Sequence, residues 1–324
     1  MAPTMTVDVH VAPDARRTAL EADVRSGLLA EQKTLPPIWF YDERGSLLFD
    51  EITRLPEYYL TRAERSILDR HAGAIVELGG ADTLVELGSG TSEKTRLLLD
   101  AMAAGGRLRR FVPFDMSEEV LRLAADDITK TYGIEVTAVV GDFHRHLGEI
   151  PRSGRRLVAF LGSTIGNLTP AERSRFLTDL DESMVFHDRL LLGTDLVKDR
   201  RRLLAAYDDD AGVTAEFNRN VLLVLNHELG AHFDSSAFEH VALWDEEHRW
   251  IEMRLRSRSD QIIEIEQLGL HVAFEAGEDL RTEISAKLTA GQVERELGEA
   301  GFVVERSWTD PAGDFLLTLA RTYC

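Results

Sequence analysis

Residues 84–94 constrain the fold more than any other stretch of this chain. A short apolar run ends at Glu86-Leu87, meets Gly88-Ser89-Gly90 and is followed by a helical pattern. A strand, a glycine turn and a helix start form the first unit of an open α/β sheet. Glycine suits such a turn because the chain bends tightly and because a ligand must approach the backbone without meeting a Cβ atom. The stretch therefore predicts an α/β fold that binds a ligand at this turn.

The spacing of the glycines separates two classes of ligand. The fingerprint for nicotinamide dinucleotides requires a third glycine three residues after Gly90, and Glu93 stands there. An acidic residue just before the first glycine, here Glu86, instead resembles the first motif of S-adenosylmethionine-dependent methyltransferases. This resemblance implies S-adenosyl-L-methionine as the cofactor and a Rossmann-like class I methyltransferase sheet.

The charge of the chain narrows the range of partners. Its 324 residues include 37 Lys and Arg against 56 Asp and Glu, which gives a net charge of −19. Nucleic-acid backbones and anionic membranes would repel such a protein, so we expect neither as a partner. Two short basic clusters, at 152–156 and 200–202, are interpreted as solvated turns and helix starts.

The chain shows no pattern for export or membrane insertion. Residues 1–13 lack a basic start followed by an apolar core, and no apolar run is long enough to span a bilayer. Cys324 is the single cysteine, so no intrachain disulfide can form and a reducing compartment fits. We therefore expect a cytoplasmic protein. A monomer is expected as well, although none of these features bears on the oligomeric state.

Strand and helix patterns alternate from residue 82 onwards. Strands are predicted at 83–87, 110–114, 135–140, 157–161 and 189–193, with helical patterns between them. The helix after the fourth strand starts with a capping box in Thr169-Pro170-Ala171-Glu172. A final pair of strands, at 302–308 and 314–321, closes the pattern, and we expect the last one to be inserted antiparallel. Such a pair is typical of a methyltransferase sheet and unusual in a dehydrogenase sheet.

The remaining segments predict a second domain. Helices are expected at 14–29, 45–55, 201–207 and 214–229, and strands at 250–256, 262–268 and 281–288. Thr61 and Glu64 are expected to form a capping box for a helix that reaches His71. We divide the chain into a cofactor-binding domain (62–196 plus 287–324), an α+β substrate-binding domain built from the N-terminal segment and an insertion (14–61 plus 197–286), and a flexible tail (1–13).

Polar residues fall at the carboxyl ends of the predicted strands, where ligands bind in open α/β sheets. Asp115 closes the second strand, where a carboxylate can accept hydrogen bonds from both hydroxyls of a ribose. Asp142 closes the third strand and can accept from an adenine amino group, with Phe143 packed nearby. Lys94 follows the glycine turn and can reach the methionine carboxylate of the cofactor. The alternatives are helix N-caps for the two aspartates and an exposed helix position for Lys94.

A second group of residues could bind a substrate. Asn167 follows the fourth strand, where the transferred methyl group should lie, and offers a donor and an acceptor; the alternative is a simple turn residue. Glu283 and Ser285 are two apart in an alternating strand, so both point to one face. A carboxylate and a hydroxyl can together hold an imidazole through its two nitrogens. Tyr41 and Tyr58 could line a small polar pocket, or they could belong to an apolar lid on the sheet.

Other residues give weaker signals. Met253 lies on an apolar strand face and is most simply a core residue. His144 and His146 alternate without an obvious third ligand, so we predict no metal site. Ser163 lacks the Gly-x-Ser-x-Gly frame of a hydrolase nucleophile.

Taken together, these residues show that the chain closely resembles the histidine Nα-methyltransferases of ergothioneine biosynthesis, which convert L-histidine to hercynine. The similarity runs from about residue 15 to the C-terminus. Its most specific stretches are Leu35-Pro36-Pro37, Trp39-Phe40-Tyr41-Asp42, 55–59, 86–94, 162–168, 194–198, Phe217-Asn218-Arg219-Asn220 and Glu283-Ile284-Ser285. In combination they are far more specific than the glycine turn alone.

The resemblance implies roles for individual residues. The implied cofactor-binding residues are Gly88, Lys94, Asp115, Asp142 and Phe143. The implied substrate-binding residues are Tyr58, Asn167, Tyr207, Met253, Glu283 and Ser285, and the implied catalytic residues are Tyr41, Tyr58 and Asn167. Glu283 and Ser285 would hold the imidazole, and Tyr58 and Asn167 the carboxylate and amine region. Leu60 departs from the family pattern, which has proline after the tyrosine pair.

Two other functions stay open. One is methylation of another amino acid, since fungal relatives act on a tryptophan derivative. Glu283 argues against it because an indole has one N–H and no second polar nitrogen. The other is a catalytically silent S-adenosylmethionine-binding regulator, against which the complete set of substrate residues weighs. For methyl transfer itself, placement is the main requirement because a sulfonium is already a strong electrophile.

Overall fold

The computed structural model describes residues 4–11 and 13–323. Its helices are α1 (Pro13–Leu28), α2 (Glu43–Ile52), α3 (Tyr59–Gly79), α4 (Arg96–Ala104), α5 (Glu118–Tyr132), α6 (Pro170–Ser183), α7 (Arg200–Ala205), α8 (Val213–Leu229) and α9 (Ala290–Glu299). Its strands are β1 (Met5–Val9), β2 (Lys33–Thr34), β3 (Thr83–Leu87), β4 (Arg110–Asp115), β5 (Glu135–Val140), β6 (Arg156–Phe160), β7 (Arg189–Asp195), β8 (Phe238–Asp245), β9 (Trp250–Ser257), β10 (Gln261–Ile265), β11 (Leu270–Phe274), β12 (Asp279–Ala286), β13 (Phe302–Thr309) and β14 (Phe315–Thr322). These elements form two compact units: unit 1 contains 60–196 and 288–323 together with 4–11, and unit 2 contains 13–59 and 197–287.

Unit 1 is built on a sheet that has eight strands within the described residues, in the order β1-β5-β4-β3-β6-β7-β14-β13. The strands from β5 to β7 run parallel, whereas β14 lies antiparallel between β7 and β13. Every residue of β3 is buried, as expected for a parallel strand that is covered on both faces. The predicted strands of this sheet and the antiparallel insertion are confirmed. The carboxyl ends of β3, β4 and β5 consequently lie side by side.

Local signals explain where the helices of unit 1 begin and end. The Thr169 hydroxyl accepts a hydrogen bond from the backbone N–H of Glu172, and the Glu172 carboxylate accepts one from the backbone N–H of Thr169. This is the capping box predicted there, with Pro170 at the first helical position of α6. Helix α5 ends at Gly133, whose φ of 63° suits glycine. Local signals therefore set the start of α6 and the end of α5.

The N-terminal segment is not a flexible tail where the structure describes it. Residues 5–9 form β1, which pairs in parallel with β5 from Met5 opposite Val136 to Val9 opposite Val140. The valines and threonine of this strand favour extended structure, and the strand covers an open edge of the sheet. The prediction of a tail at 1–13 was wrong because a five-residue edge strand gives only a weak pattern. Residues 1–3 and 12 lie outside the described residues.

The capping box predicted from Thr61 and Glu64 is also wrong. Helix α3 already begins at Tyr59, so Thr61 lies within its first turn. Glu64 is fully buried and accepts hydrogen bonds from the backbone N–H of Gly162, at 2.8 and 3.1 Å to its two oxygens, and from Lys94. A two-residue motif is compatible with several local structures, and here the contacts with other parts of unit 1 determine the role of Glu64.

The basic cluster at 152–156 is not solvated throughout. Arg156 is 1% exposed and forms an ion pair with the fully buried Asp188. Asp188 accepts hydrogen bonds from the backbone N–H and the Nε of Arg156, at 3.0 and 2.9 Å, and from the backbone N–H of Val185 at 3.0 Å. The pair ties the start of β6 to the turn before β7. Clustered arginines in a sequence do not reveal which of them meets an acidic partner, so this part of the interpretation was wrong.

Unit 2 contains a four-stranded sheet, β2-β12-β9-β8, and a hairpin of β10 and β11 among the described residues. The sequence does not reveal β8, because four successive apolar residues at 241–244 hide its alternation. The strand predicted at 262–268 ends at Ile265, and the chain turns back at Gly269, with a φ of 59°, into β11. In the four-stranded sheet, β9 and β12 pair antiparallel and bring Met253 opposite Glu283.

The described residues contain neither a membrane-spanning helix nor a metal-binding cluster. None of the helices in 4–11 and 13–323 has the length and apolar character needed to cross a bilayer. Within the same ranges, no three His, Cys, Asp or Glu side chains are grouped in a way that could hold a metal ion. His146 instead accepts a hydrogen bond through Nδ1 from the backbone N–H of Asp142 at 3.0 Å.

Candidate functional site

The glycine turn after β3 forms the first part of a ligand site in unit 1. Gly88 and Gly90 have φ angles of 67° and 47°, which favour glycine over residues with a Cβ atom. The backbone N–H groups of Gly88 and Ser89 donate to the carbonyl of Phe114, at 2.8 and 3.1 Å, and tie the turn to the end of β4. Apart from the two neighbours in the chain, a Cβ atom added to either glycine would meet no atom of the described residues within 4 Å. The turn therefore borders space in which a ligand can lie.

Asp115 orders the same turn. Its Oδ2 accepts a hydrogen bond from the backbone N–H of Gly90 at 3.0 Å, and its Oδ1 accepts one from that of Ser117 at 3.0 Å. Ser117 is the residue before α5, so Asp115 holds the glycine turn and the start of this helix together. A carboxylate has about four acceptor positions, and two bonds leave room for the ribose hydroxyls that the sequence analysis assigns to it.

Replacement of Asp115 tests this assignment. Asp115→Ala is expected to weaken the binding of S-adenosyl-L-methionine by about 1.5–3 kcal/mol, roughly 10- to 100-fold, because a charged hydrogen-bond acceptor is lost. Calorimetric titration measures the change, and Asp126→Ala, at an exposed position of α5, is the matched control. Unchanged affinity in a folded Asp115→Ala variant would contradict the assignment.

Glu86 and Ser89 supply buried polar atoms that fit a cofactor. The Thr95 hydroxyl donates to Oε1 of Glu86, while Oε2 of Glu86 and Oγ of Ser89 have no hydrogen-bond partner among the described residues. Burial raises the pKa of Glu86 to about 7, although the bond from Thr95 acts in the opposite direction. Unpartnered buried polar atoms are unfavourable, so a polar, cationic ligand at the turn would stabilise them. S-adenosyl-L-methionine, with its sulfonium and ammonium groups, meets this requirement.

Glu86 also makes stability depend on pH. Its folded-state pKa of about 7 lies above the ordinary value of 4.5, so between these values the folded protein keeps a proton that the unfolded chain has lost. The stabilising contribution is present below about pH 4.5 and is lost as the pH rises through 7. Glu86→Gln, which imitates the protonated form, should gain about 1–3 kcal/mol in unfolding free energy over the cofactor-free wild type at pH 8 and much less at pH 5. Urea unfolding measures both differences, and equal values at the two pH values would contradict this reasoning.

Lys94 lies beside the turn and forms an ion pair with Glu64. The Lys94 ammonium donates to the buried Glu64 carboxylate, which also accepts from the backbone N–H of Gly162. Since an ammonium has three N–H donors, Lys94 can bind Glu64 and a ligand carboxylate together. Its side chain is 24% exposed, unlike that of a fully solvated surface lysine. Glu64 was not predicted as a site residue; the signal was a charged residue on the apolar face of α3.

Asp142 and Phe143 follow β5, where the sequence analysis places the adenine. Oδ1 of Asp142 accepts a hydrogen bond from the backbone N–H of His144 at 2.9 Å. The Phe143 ring packs edge-on against Phe160 and Phe176, with 5.5 Å between ring centroids in both pairs. The neighbouring strands β3, β4 and β5 thus end in the glycine turn, in Asp115, and in Asp142 with Phe143, respectively. An extended nucleoside ligand requires its binding groups in this order.

Asn167 ends a short 3₁₀ turn, Thr164–Asn167, in the loop after β6. The residue before this turn, Ser163, has a φ of 58°, which is uncommon for a residue other than glycine. Its hydroxyl accepts a hydrogen bond from the backbone N–H of Asp195 at 2.9 Å. Ser163 therefore anchors the loop that carries Asn167, in agreement with the absence of a hydrolase frame around it.

Aromatic rings connect three of the sequence-predicted residues of unit 2. Tyr41 and Tyr58 each meet Phe49 edge-on, with 5.6 and 6.3 Å between ring centroids, and Tyr58 meets Tyr207 at 6.4 Å. Tyr58 and Tyr207 are buried, whereas Tyr41 is 40% exposed. Leu60, which stands where the family pattern has proline, is buried in the first turn of α3, so this helix starts without a proline.

Strand β12 and its neighbour β9 hold the residues assigned to the imidazole. Glu283 lies directly opposite Met253, and Ser285 lies two residues further along β12. The Ser285 and Tyr207 hydroxyls form a hydrogen bond of 2.8 Å. Although water reaches part of the Glu283 side chain, protein atoms surround its carboxylate densely, and this loss of hydration raises its pKa to about 7. The positive charge of Lys287 opposes this shift.

Lys287, which was not predicted from the sequence, belongs to the same group. Its side chain is fully buried, and its Nζ donates to the Tyr207 and Ser285 hydroxyls at 2.8 Å each. A signal was available, because Glu283, Ser285 and Lys287 alternate along one strand face with apolar neighbours between them. Unit 2 thus brings together a carboxylate, two hydroxyls and an ammonium beside a methionine and several aromatic rings.

Comparisons with known proteins agree with this geometry. The model of a family described as histidine-specific, S-adenosylmethionine-dependent methyltransferases matches residues 20–322. The histidine N-alpha-methyltransferase of Mycolicibacterium smegmatis is 58% identical over 98% of this chain and 99% of its own length, and that of Mycobacterium tuberculosis is 56% identical over the same shares. Ergothioneine biosynthesis protein 1 of Schizosaccharomyces pombe is 33% identical over 66% of this chain and 29% of its own length. The predicted methyltransferase fold and cofactor are confirmed, and the chain belongs to the histidine-specific, S-adenosylmethionine-dependent methyltransferase family.

Proposed function

We propose that this N-methyltransferase adds methyl groups from S-adenosyl-L-methionine to the α-amino group of L-histidine and forms hercynine, a step of ergothioneine biosynthesis. The observation that carries the substrate assignment is the Glu283 and Ser285 pair on one face of β12, beside Tyr207 and Met253. The carboxylate can accept one imidazole N–H, and the hydroxyl can bond to the second ring nitrogen. An indole would leave one of these two groups without a partner. The two mycobacterial relatives support the same assignment by name.

We assign cofactor and substrate to different segments of the chain. Residues 62–196 plus 287–324 would bind the cofactor, and 14–61 plus 197–286 would bind the substrate. The cofactor would be held by Gly88, Lys94, Asp115, Asp142 and Phe143. When bound, it supplies a methyl group on an electrophilic sulfonium. The open space at the two glycines and the unpartnered buried atoms of Glu86 and Ser89 support this assignment.

The residues around the amine would place it and remove its proton. Tyr58 and Asn167 would bind the carboxylate and amine region, with Tyr207 beside them and Tyr41 near the amine. A free α-amino group has a pKa of about 8, so most substrate molecules arrive protonated at neutral pH and must lose that proton before the lone pair can react. The Tyr41 or Tyr58 hydroxyl, or a bound water, would pass it to solvent. In each transfer the amine would form one N–C bond while the S–CH3 bond of the sulfonium breaks and leaves S-adenosylhomocysteine. Three transfers would replace the three N–H bonds of the starting ammonium, and the quaternary amine has no lone pair for a fourth.

We also propose that the protein acts as a cytoplasmic monomer, without nucleic-acid or membrane partners. The net charge of −19 supports the last two points, because polyanions and anionic lipids would be repelled. Light scattering on the eluted peak of a sizing column measures the oligomeric state, and a dimer mass would contradict the monomer.

Turnover of defined amino acids tests the proposed function. Release of S-adenosylhomocysteine is measured with L-histidine, with L-tryptophan and without an acceptor. We expect kcat/KM for histidine to exceed that for tryptophan by at least about 100-fold, because the buried polar groups of the pocket need partners. A preference for tryptophan would identify a methyltransferase of another amino acid. Cofactor binding without turnover of either would identify a silent regulator.

A further inference from the structure

A fully buried lysine stands behind the proposed imidazole site. Lys287 follows the last residue of β12, and its backbone N–H donates to the carbonyl of Arg249 at 2.8 Å, which extends the ladder between β12 and β9 by one residue. This fixes the period-two alternation, so the side chains of Glu283, Ser285 and Lys287 share one face. Burial of an ammonium is unfavourable unless nearby groups compensate for the lost hydration. The position of Lys287 therefore calls for a functional explanation.

The contacts of Lys287 compensate for its burial. Nζ donates to the Tyr207 and Ser285 hydroxyl oxygens, both at 2.8 Å, and it lies 4.6 Å from the centroid of the Tyr207 ring, where a cation–π attraction is favourable. The two hydroxyl oxygens are themselves 2.8 Å apart. Lys287, Tyr207 and Ser285 thus form a closed triangle of polar atoms, which we call the 207–285–287 triangle.

The triangle limits what Ser285 can offer to a ligand. A serine hydroxyl has one hydrogen and two lone pairs, and the Lys287 ammonium, which can only donate, uses one lone pair. If Tyr207 donates into the second lone pair, the Ser285 hydrogen is available to a ligand acceptor. A neutral imidazole whose N–H faces the Glu283 carboxylate presents such an acceptor, the lone pair of its second nitrogen. The Ser285 hydrogen can then bond to this second nitrogen.

The positive charge of Lys287 also favours this arrangement of the imidazole, through its effect on Glu283. Burial raises the pKa of the Glu283 carboxyl to about 7, and the charge of Lys287 opposes this shift by favouring the ionised form. An ionised carboxylate accepts an N–H, which assigns the single imidazole proton to the side of Glu283. A second proton on the imidazole would have to face the donor from Ser285, close to the Lys287 ammonium, and both would repel it.

We propose that Lys287 is a positioning residue for substrate recognition: through the 207–285–287 triangle it fixes Ser285 as a hydrogen-bond donor, so that the pocket selects the neutral imidazole in one tautomer. The proposal rests on the histidine methylation proposed above. Lys287 acts through Ser285 and does not itself touch the substrate.

Kinetics of a neutral variant test the proposal. Lys287→Met keeps most of the side-chain length and removes the donors and the charge. We expect its KM for L-histidine to rise about 10- to 100-fold, with kcat changed less than about threefold, because an interaction that binds ground state and transition state alike is lost. A merely structural role would lower the amount of active protein, and therefore kcat, without raising KM. Lys33→Met is the matched control, since Lys33 lies in β2 of the same sheet and pairs with Glu278 instead.

A double-mutant cycle shows whether the effect passes through Ser285. In a Ser285→Ala background, Lys287→Met is expected to raise KM no more than about threefold, the part attributable to the charge effect on Glu283. An equal rise in both backgrounds, or a loss of kcat at constant KM, would overturn the proposal. If Lys287→Met does not fold, as judged by its Tm and by calorimetric cofactor binding, the cycle is run with Lys287→Leu, which also removes the donors and the charge, and the same two outcomes decide.

The cycle also separates this proposal from the proposed function. If the wild type binds S-adenosyl-L-methionine but does not methylate L-histidine, the proposed function fails, and the inference about Lys287 fails with it. If the wild type methylates histidine and the Lys287 variants keep its KM, only the inference fails.

Discussion

Glu283→Ala is expected to lower kcat/KM for L-histidine by about 10- to 150-fold. The lost hydrogen bond joins a neutral imidazole N–H to a charged carboxylate, which contributes about 1.5–3 kcal/mol, and each 1.4 kcal/mol corresponds to a factor of ten. Glu283 is surrounded by protein atoms, lies opposite Met253 and shares a strand face with Ser285. No described side chain in this register could take over a carboxylate's role toward the imidazole N–H, because the cross-strand partners of Glu283 and Ser285 are Met253 and Ile251.

Comparing the turnover of histidine and tryptophan in Glu283→Ala distinguishes a role in imidazole recognition from a structural role. An aromatic amino acid such as L-tryptophan lacks the second polar ring nitrogen, so its turnover should fall much less than that of histidine, if at all. Glu239→Ala, at an exposed position of β8 in the same sheet, is the control for a changed charge. Equal factors for histidine and tryptophan in Glu283→Ala would assign this residue a structural role.

Asp188→Ala is expected to lower the free energy of unfolding by about 3–5 kcal/mol, because removal of one member of a buried ion pair leaves the other charge without compensation. Asp188 is fully buried and accepts from both the backbone and the guanidinium of Arg156, and that guanidinium also donates to the carbonyl of Ser183 at 2.9 Å. The variant would therefore leave a buried guanidinium with the backbone carbonyls of Ser183 and Pro151 but without its carboxylate.

An exposed ion pair and the KM for L-histidine serve as controls for the Asp188 prediction. Glu118→Ala breaks an exposed pair with Arg122 on α5 and should change the free energy of unfolding by no more than about 0.5 kcal/mol. The KM of folded Asp188→Ala for L-histidine should match that of the wild type, because neither partner lies at the carboxyl end of a strand. A destabilisation below about 1 kcal/mol, measured by urea unfolding, would show that water or rearrangement compensates for the lost carboxylate.

The framework of unit 1 could be predicted because its signals are local. The buried strand Thr83–Leu87, the glycine turn and the capping box at Thr169 each depend on a few neighbouring residues. Period-two alternation likewise placed Glu283 and Ser285 on one face before any contact was known. Strand β1 escaped prediction because its stability comes from pairing with β5, which is distant in sequence.

The partners of the buried charges could not be predicted for a related reason. Arg156 looks like an ordinary surface residue in the sequence, since charged side chains are rarely fully buried. The apolar neighbours of Glu64 and Lys287 indicate burial but do not reveal which groups compensate for the charge. Each is buried because a partner from a distant segment or an adjacent strand face compensates for its charge. Such pairs depend on tertiary structure, and a single sequence contains no record of them.

The number of methyl groups placed on the α-amine of L-histidine tests the central claim most directly. The proposed contacts hold the carboxylate and the imidazole, not the N–H groups of the amine, so partly methylated products can bind again. Mass spectrometry follows a time course with excess S-adenosyl-L-methionine and with S-adenosylhomocysteine removed enzymatically to prevent inhibition. The account predicts that Nα-trimethylhistidine dominates at long times and that added dimethylhistidine is converted to it. A course that halts at the monomethyl product, or methylation of the ring in place of the amine, would contradict it.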